Sequence, residues 1–375
     1  MRRKHSRAGD PLSTMRAPQY VHGGDIYAFA RTRAIAPERV LDFSASINPL
    51  GMPRRALTAY RHTLSRVVHY PEPYAESLTA GLVAYHGLAP GAILVGNGST
   101  QLIFLLARFL AARRVLLISP LFSEHDTAFR VSGARIDRFF LRPPAFSCVL
   151  EQIREALTNG YDTLVLTNPN SPTGAVMPRG QIEELARLCR RARTRLIVDE
   201  TFVDWIEEES TKHLAARNPH VIVLRSLTKF FAVPGLRVGY LITHPRLVAR
   251  LRRQLEPWSV NTVAQTVALA CLQEPEFAER SRAFLMQERE WMFAQLATVK
   301  GLRPFPSRAN FFLVRITAKG YDAPAIVRLL AEQNLLVRDC TNFPDLGKKF
   351  FRVAVRTRRE NRRLLVALRG ILPEG

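Results

Sequence analysis

Seven short apolar runs, Ile93–Val95, Val115–Ile118, Ile136–Phe140, Thr163–Leu166, Leu196–Val198, Val221–Leu224 and Val238–Ile242, are separated by stretches of helical character. Several of them are near-continuous and aliphatic, the pattern of strands buried on both faces. Alternation of such strands with helices predicts an α/β domain built on a mostly parallel, seven-stranded sheet. Ligands of open sheets of this kind gather beyond the carboxyl ends of the strands. Chemistry-bearing residues are therefore sought in the segments that follow each run.

A chain of 375 residues with 47% hydrophobic content buries a large core and is long enough for a second, smaller domain. From Asn261 onward the pattern shifts to longer helices, around Val263–Cys271 and Phe284–Leu296, followed by the apolar run Asn310–Val314. The expected division is a disordered basic tail at 1–18, an N-terminal arm at 19–51, a large domain at 52–260 and a small α+β domain at 261–375. Cysteines at 148, 189, 271 and 340 have no metal-ligand spacing and imply no disulfide framework, so no metal site is expected. Met1–Pro18 is basic without an apolar run and does not read as a secretory signal. The apolar stretch Leu102–Leu110 is too short, and interrupted by Arg108, to span a bilayer. The expected location is the cytoplasm.

The formal net charge of +22 raises the question of nucleic acid. The arginines are spread along the chain, at 187–195, 250–253 and 356–363, and no zinc-finger, RNP or basic-zipper pattern accompanies them. A solvated basic surface that helps attract anionic substrates is the expectation, rather than a nucleic-acid site.

The strand ends carry the informative segments. After the first run, Gly96-Asn97-Gly98-Ser99-Thr100-Gln101 leads straight into a helix, where free backbone amides and the hydroxyls of Ser99 and Thr100 suit either a phosphate cradle or a plain N-cap. Phe122 follows the second run, and the turn Thr167-Asn168-Pro169-Asn170-Ser171-Pro172-Thr173-Gly174 follows the fourth. Asp199 ends the fifth. The sixth is followed by Ser226-Leu227-Thr228-Lys229, with Arg237 eight residues beyond the lysine beside glycines that let backbone approach a ligand. Two further segments lie near the amino terminus: the Gly-rich turn His22-Gly23-Gly24-Asp25 and the extended Leu41–Gly51, which contains Ser46 and Asn48. Arg338 and Arg352, near the carboxyl end, offer planar guanidinium groups suited to carboxylate or phosphate.

The lysine segment, the Asn-Pro-rich turn, Asp199 and the arm together resemble the fold-type I pyridoxal-phosphate (PLP) enzymes, the aminotransferase superfamily, over about residues 20–370. The resemblance implies PLP as cofactor, with Lys229 as its covalent anchor. It implies Ser226 and Arg237 on the cofactor phosphate, with Ser99 and Thr100 beside them, and Phe122 against the pyridine face or in the core. Asp199 would pair with the protonated ring nitrogen, keeping the ring an electron sink. Asn170 or Ser171 would donate to the phenolic oxygen. Tyr70 either packs in a turn or reaches across a homodimer to the neighbouring site.

Within that superfamily the His-Gly-Gly turn, Ser46-Ile47-Asn48-Pro49-Leu50-Gly51 and Phe202 resemble the threonine-phosphate decarboxylases. That implies a carboxy-lyase converting L-threonine O-3-phosphate to (R)-1-aminopropan-2-ol O-phosphate for cobalamin biosynthesis. His22, Gly23, Ser46, Asn48, Arg338 and Arg352 would then bind substrate, although Ser46 stands where that family commonly has asparagine. Phe202 stands where aminotransferases commonly carry tyrosine. Histidinol-phosphate aminotransferase shares nearly every cofactor residue and is the alternative.

Overall fold

All seven apolar runs form strands. The computed structural model describes residues 22–372, so the tail expected at 1–18 lies outside the described residues. The chain runs through α1 (Ile26–Arg33), β1 (Leu41–Asp42), α2 (Arg54–Thr63) and α3 (Glu76–His86). The sheet region then comprises β2 (Ile93–Gly96), α4 (Gly98–Leu110), β3 (Arg114–Ser119), α5 (Ser123–Val131), β4 (Arg135–Phe140), α6 (Leu150–Leu157), β5 (Thr163–Thr167) and α7 (Arg179–Arg191). It continues with β6 (Arg195–Asp199), α8 (Lys212–Arg217), β7 (Val221–Ser226), β8 (Gly239–Ile242) and α9 (Pro245–Arg252). These strands form one seven-stranded sheet in the order β2-β8-β7-β6-β5-β3-β4. Only β8 runs antiparallel to its neighbours, β2 and β7. The remaining pairs, β3 with β4 and β5, β5 with β6, and β6 with β7, are parallel.

Successive residues of a strand point to opposite faces, so an aliphatic run serves two cores at once. In β3, Val115 and Leu117 pack with Leu102, Leu106, Phe129 and Leu251 from α4, α5 and α9. Leu116 and Ile118 face the other side, with Ile153 of α6 and Ile182 and Leu185 of α7. Each such side chain contributes about 1.5–3 kcal/mol by leaving water. β4 is the exception, half-exposed along its length. It is an edge strand, and its charges, Asp137 paired with Arg114 at 3.0 Å and Arg138 with Asp126 at 2.8 Å, discourage pairing with another chain.

Beyond the large sheet, α10 (Thr262–Leu272) packs against α2 and α3. It is followed by the 23-residue α11 (Pro275–Ala297), β9 (Leu302–Pro304), β10 (Phe311–Ile316), α12 (Ala323–Ala331), β11 (Leu335–Leu336), β12 (Arg338–Asp339), β13 (Phe350–Ala354) and α13 (Arg358–Ile371). A second, antiparallel sheet has the order β12-β13-β10-β9. Asp322 caps α12, and Thr357 with Glu360 forms a reciprocal capping box on α13.

The arm is sewn onto this second layer. β1 pairs in parallel with β11, Phe43 N donates to Leu336 O at 2.7 Å, and Phe43 O accepts from Ala354 N at 2.8 Å. Among the described residues no helix is long and apolar enough to cross a membrane, and no group of three or more His, Cys, Asp or Glu side chains is placed to hold a metal ion. All four cysteines are free thiols.

Candidate active site

The carboxyl ends of β2, β3, β5, β6 and β7 deliver their following segments to one place, and the arm and β13 close on it. Lys229, three residues past β7, lies at its centre. Burial, then the charges of Arg237 and Arg352, push the Lys229 amine down to about 8, against a smaller opposing pull from Asp199. A primary amine so lowered is a usable nucleophile near neutral pH.

Asp199 ends β6, fully enclosed. Its Oδ2 accepts from His125 Nε2 at 2.9 Å, and its Oδ1 accepts from Thr201 N at 3.0 Å and Thr201 Oγ1 at 2.5 Å. Burial alone would raise this carboxyl, but His125 and Thr201 outweigh it and hold Asp199 below the usual carboxylate range. It is therefore a fixed negative charge suited to a cationic ring nitrogen. His125, on α5 and 1% exposed, was not among the residues singled out from sequence. A lone histidine in Ser-Glu-His-Asp carries no motif, and only its position behind Phe122 marks it.

The anion cradle forms where α4 begins. The Arg237 guanidinium crosses that helix terminus so closely that a Cβ on Gly98 would sit 2.7 Å from its Nη2. A Cβ on Gly239 would sit 2.6 Å from Ser99 N, so glycine at both positions lets backbone, helix end and arginine converge. Arg237 holds a left-handed backbone, φ 54°, unusual for a residue with a side chain and a sign of local strain. Among the described residues it has no carboxylate ion pair; its Nη1 donates to Pro234 O at 3.3 Å. Ser226 Oγ and Thr228 Oγ1 share a hydrogen bond of 2.7 Å at the end of β7. Ser99 and Thr100 lie partly exposed in the first turn of α4.

The turn after β5 is a small self-bonded hairpin. Asn170 Nδ2 donates to Pro120 O at 2.7 Å, while its Oδ1 accepts from Thr173 Oγ1 at 2.7 Å. Both ends of that amide are thus engaged within the protein. Ser171 instead presents its Oγ to Arg352, accepting from Nη1 at 2.9 Å.

Arg352, on β13, also donates through Nη2 to Ser44 O of the arm at 2.8 Å and lies over the Phe311 ring at 4.9 Å. No carboxylate lies within ion-pair distance of it among the described residues; burial brings its guanidinium down to about 10, against a smaller opposing pull from Asp42. Arg338 is its cross-strand partner in the β12–β13 pair. Arg338 Nη2 donates to Asn342 Oδ1 at 2.8 Å. Phe202 packs edge-on to Phe311 with ring centres 5.0 Å apart, an apolar wall where a hydroxyl would otherwise project.

The arm residues differ in their tasks. His22 Nε2 pairs with Glu124 Oε1 at 2.8 Å, and its ring leans on Phe122 at 5.3 Å. Gly23 lies so close to Ser44 that a Cβ would be 2.3 Å from Ser44 O. Ser46 accepts at its carbonyl from Asn310 Nδ2 at 2.9 Å and keeps a buried Oγ with no partner among the described residues. Asn48 is bound into the framework: Nδ2 donates to Phe230 O at 2.8 Å and to Ser281 Oγ at 2.9 Å, and its backbone N donates to Lys229 O at 3.0 Å. It braces the Lys229 loop. Tyr70 stands apart at the surface, 84% exposed, its ring 5.3 Å from that of Trp258.

An amine for an aldehyde, a charged carboxylate for a ring nitrogen and a cradle for a phosphate together fit PLP. The sequence pattern of the family "Aminotransferase class I and II" matches residues 38–368. The chain is 39% identical over 353 residues to a threonine-phosphate decarboxylase of Salmonella typhimurium, covering 94% of this chain and 96% of that protein. A histidinol-phosphate aminotransferase of Methanopyrus kandleri is 27% identical, covering 94% and 93%. A crystal structure of histidinol-phosphate aminotransferase from Clostridium acetobutylicum superposes with a TM-score of 0.82 at 26% identity, covering 88% of this chain and 99% of that one. With the fold-type I architecture in place and the match running nearly end to end, the chain belongs to the class I and II aminotransferase family.

Proposed function

We propose that this protein is a PLP-dependent carboxy-lyase that converts L-threonine O-3-phosphate to (R)-1-aminopropan-2-ol O-phosphate, a step serving cobalamin biosynthesis. The observation that carries the reading is Arg352, a half-buried guanidinium with no carboxylate in ion-pair distance among the described residues and a buried, unpartnered Nε, tied at once to the arm through Ser44 and to the hairpin through Ser171. A substrate anion would complete it, beside the arm. The extended likeness to a decarboxylase and the phenylalanine at 202 select the reaction within the family.

Bound PLP supplies an electron sink conjugated to the substrate's Cα. The protein decides which Cα bond feeds that sink, because only a bond perpendicular to the conjugated plane breaks readily; selection is therefore a matter of orientation. Arg352, with Ser171 behind it, holds one substrate anion, and Arg338 and His22 are at hand for the other. Asp199, kept ionised by His125 and Thr201, stabilises positive charge on the ring nitrogen. Lys229 would hold PLP through its amine, and that amine would be the group that returns a proton to Cα. Ser171, rather than Asn170, whose amide is engaged within the protein, would donate to the cofactor's phenolic oxygen. Ser226, Arg237 and the α4 terminus hold the cofactor phosphate.

The chain divides, in this reading, into an arm, a large cofactor domain and a small domain that carries the substrate arginines. It works as a homodimer. Exposed Val67, Val68, Tyr70 and Trp258 offer the apolar face for a second copy, and Tyr70 reaches the neighbouring site.

Mass analysis after incubation with PLP and L-threonine O-3-phosphate, without an oxo acid, tests the function. A product lighter by CO₂ is expected. Unchanged substrate, together with amino transfer from histidinol phosphate to 2-oxoglutarate, would favour the aminotransferase instead.

A further inference from the structure

The chemistry above leaves one carboxylate at the mouth of the site without a task. Glu124 Oε1 lies 2.8 Å from His22 Nε2, with the two side chains 21% and 24% exposed. The neighbouring His125 turns inward to Asp199, so the first turn of α5 serves the arm with one side chain and the cofactor carboxylate with the next. An acid in the first turn of a helix is favoured by the helix dipole alone. Asp126, in the same turn, answers that description and is held by Arg130 at 2.9 Å and Arg138 at 2.8 Å. Glu124 differs, because its contact is with the arm, 102 positions away in sequence. A bare carboxylate beside a doubly anionic substrate repels it. Pairing with the imidazole offsets that repulsion and fixes the ring.

The turn already has a backbone anchor, since Gly24 N donates to Ser44 Oγ at 2.7 Å and Gly23 fits tightly over Ser44 O. That anchor does not orient the imidazole. Glu124 bonds its Nε2, and the ring leans on Phe122. We propose that Glu124 is a positioning residue for substrate binding, acting through His22 to hold the His-Gly-Gly turn closed over Phe122. The inference rests on the decarboxylase reading for its substrate and on the His22–Glu124 contact for its geometry.

The test uses the full-length, PLP-loaded protein as wild type, Glu124→Ala, Glu124→Gln, His22→Ala and the double variant Glu124→Ala/His22→Ala. With L-threonine O-3-phosphate, Glu124→Ala raises KM about tenfold, the scale of one such hydrogen bond, and changes kcat little. Glu124→Gln, whose carbonyl still accepts from the imidazole, recovers most of the loss. The double variant loses no more than His22→Ala, because a residue that works through another is silent once that other is gone. Amide hydrogen exchange across α1, measured without substrate, quickens in Glu124→Ala. Additive losses in the double variant, a fall in KM on removing the charge, or unchanged exchange would overturn the proposal. A wild type inactive on this substrate would sink the functional reading instead, and the exchange measurement would still decide the Glu124 contact.

Discussion

Lys229 and Asp199 make opposite demands on one small volume. The amine must be able to shed its proton, and burial with Arg237 and Arg352 provides for that. The carboxylate must keep its charge while enclosed, and His125 and Thr201 provide for that. Because the amine's value is lowered to about 8, its neutral, nucleophilic form gains population as pH rises through 8 rather than near the ordinary 10.5. Covalent capture of PLP by the apoprotein, followed by absorbance, should therefore accelerate between pH 7 and 9 and level off above. Lys229→Ala should abolish that capture and cost about 10²–10⁴ in turnover, as loss of a positioned acid–base group does; persistence of either would contradict the assignment. The residues visible in the sequence, Lys229, Asp199, Ser226 and Arg237, lie at strand ends or within three residues of them, where an aliphatic run announces the position. His125 and Glu124 lie within a helix, where neither a motif nor a strand end marks them, so only the folded chain reveals their partners. Asn48 was legible as part of a motif, but its bracing bonds to Phe230 and Ser281 depend on segments far along the chain.

Among the elements, β7 bears the heaviest load. One residue before Ser226 it carries Arg225, wholly enclosed, whose Nη2 donates to Asp204 at 2.9 Å and Glu207 at 2.7 Å, and whose Nη1 donates to Ser210 Oγ at 3.2 Å and Glu200 at 3.4 Å. Lys212 joins Glu207 at 2.6 Å, and His86 Nε2 meets Tyr240 OH at 2.7 Å nearby. Burial drives the Glu200 and Asp204 carboxyls up, so the guanidinium is what makes their enclosure tolerable. The network ties the ends of β6, β7 and β8 together directly behind the lysine segment. Arg225→Met should therefore destabilise the protein by about 3–5 kcal/mol in urea unfolding, because it strands buried carboxylates rather than merely deleting a bond. Stability within about 1 kcal/mol of wild type would show that the charges rearrange or reach water. Nothing in the sequence pattern flags this cluster. Its acids occupy the loop after β6 and its arginine sits in a strand that otherwise reads as aliphatic.

At the scale of the whole molecule, the parallel sheet was legible because buried strands have little latitude in composition, whereas the arm's docking was not. β1 is two residues long and pairs with an equally short β11 from the far end of the chain, and neither has a periodicity to read. That docking nevertheless lets a segment from the amino terminus share Arg352 with the Ser171 hairpin. The central claim is that this closed arrangement directs the substrate's carboxylate, not its Cα hydrogen, into the breaking position. L-Threonine O-3-phosphate carrying ¹³C in the carboxyl group and deuterium at Cα separates the two outcomes in a single mass measurement. The account predicts ¹³CO₂ released in equal amount to aminopropanol phosphate that keeps its deuterium. Product that retains the ¹³C label and loses the deuterium would contradict it.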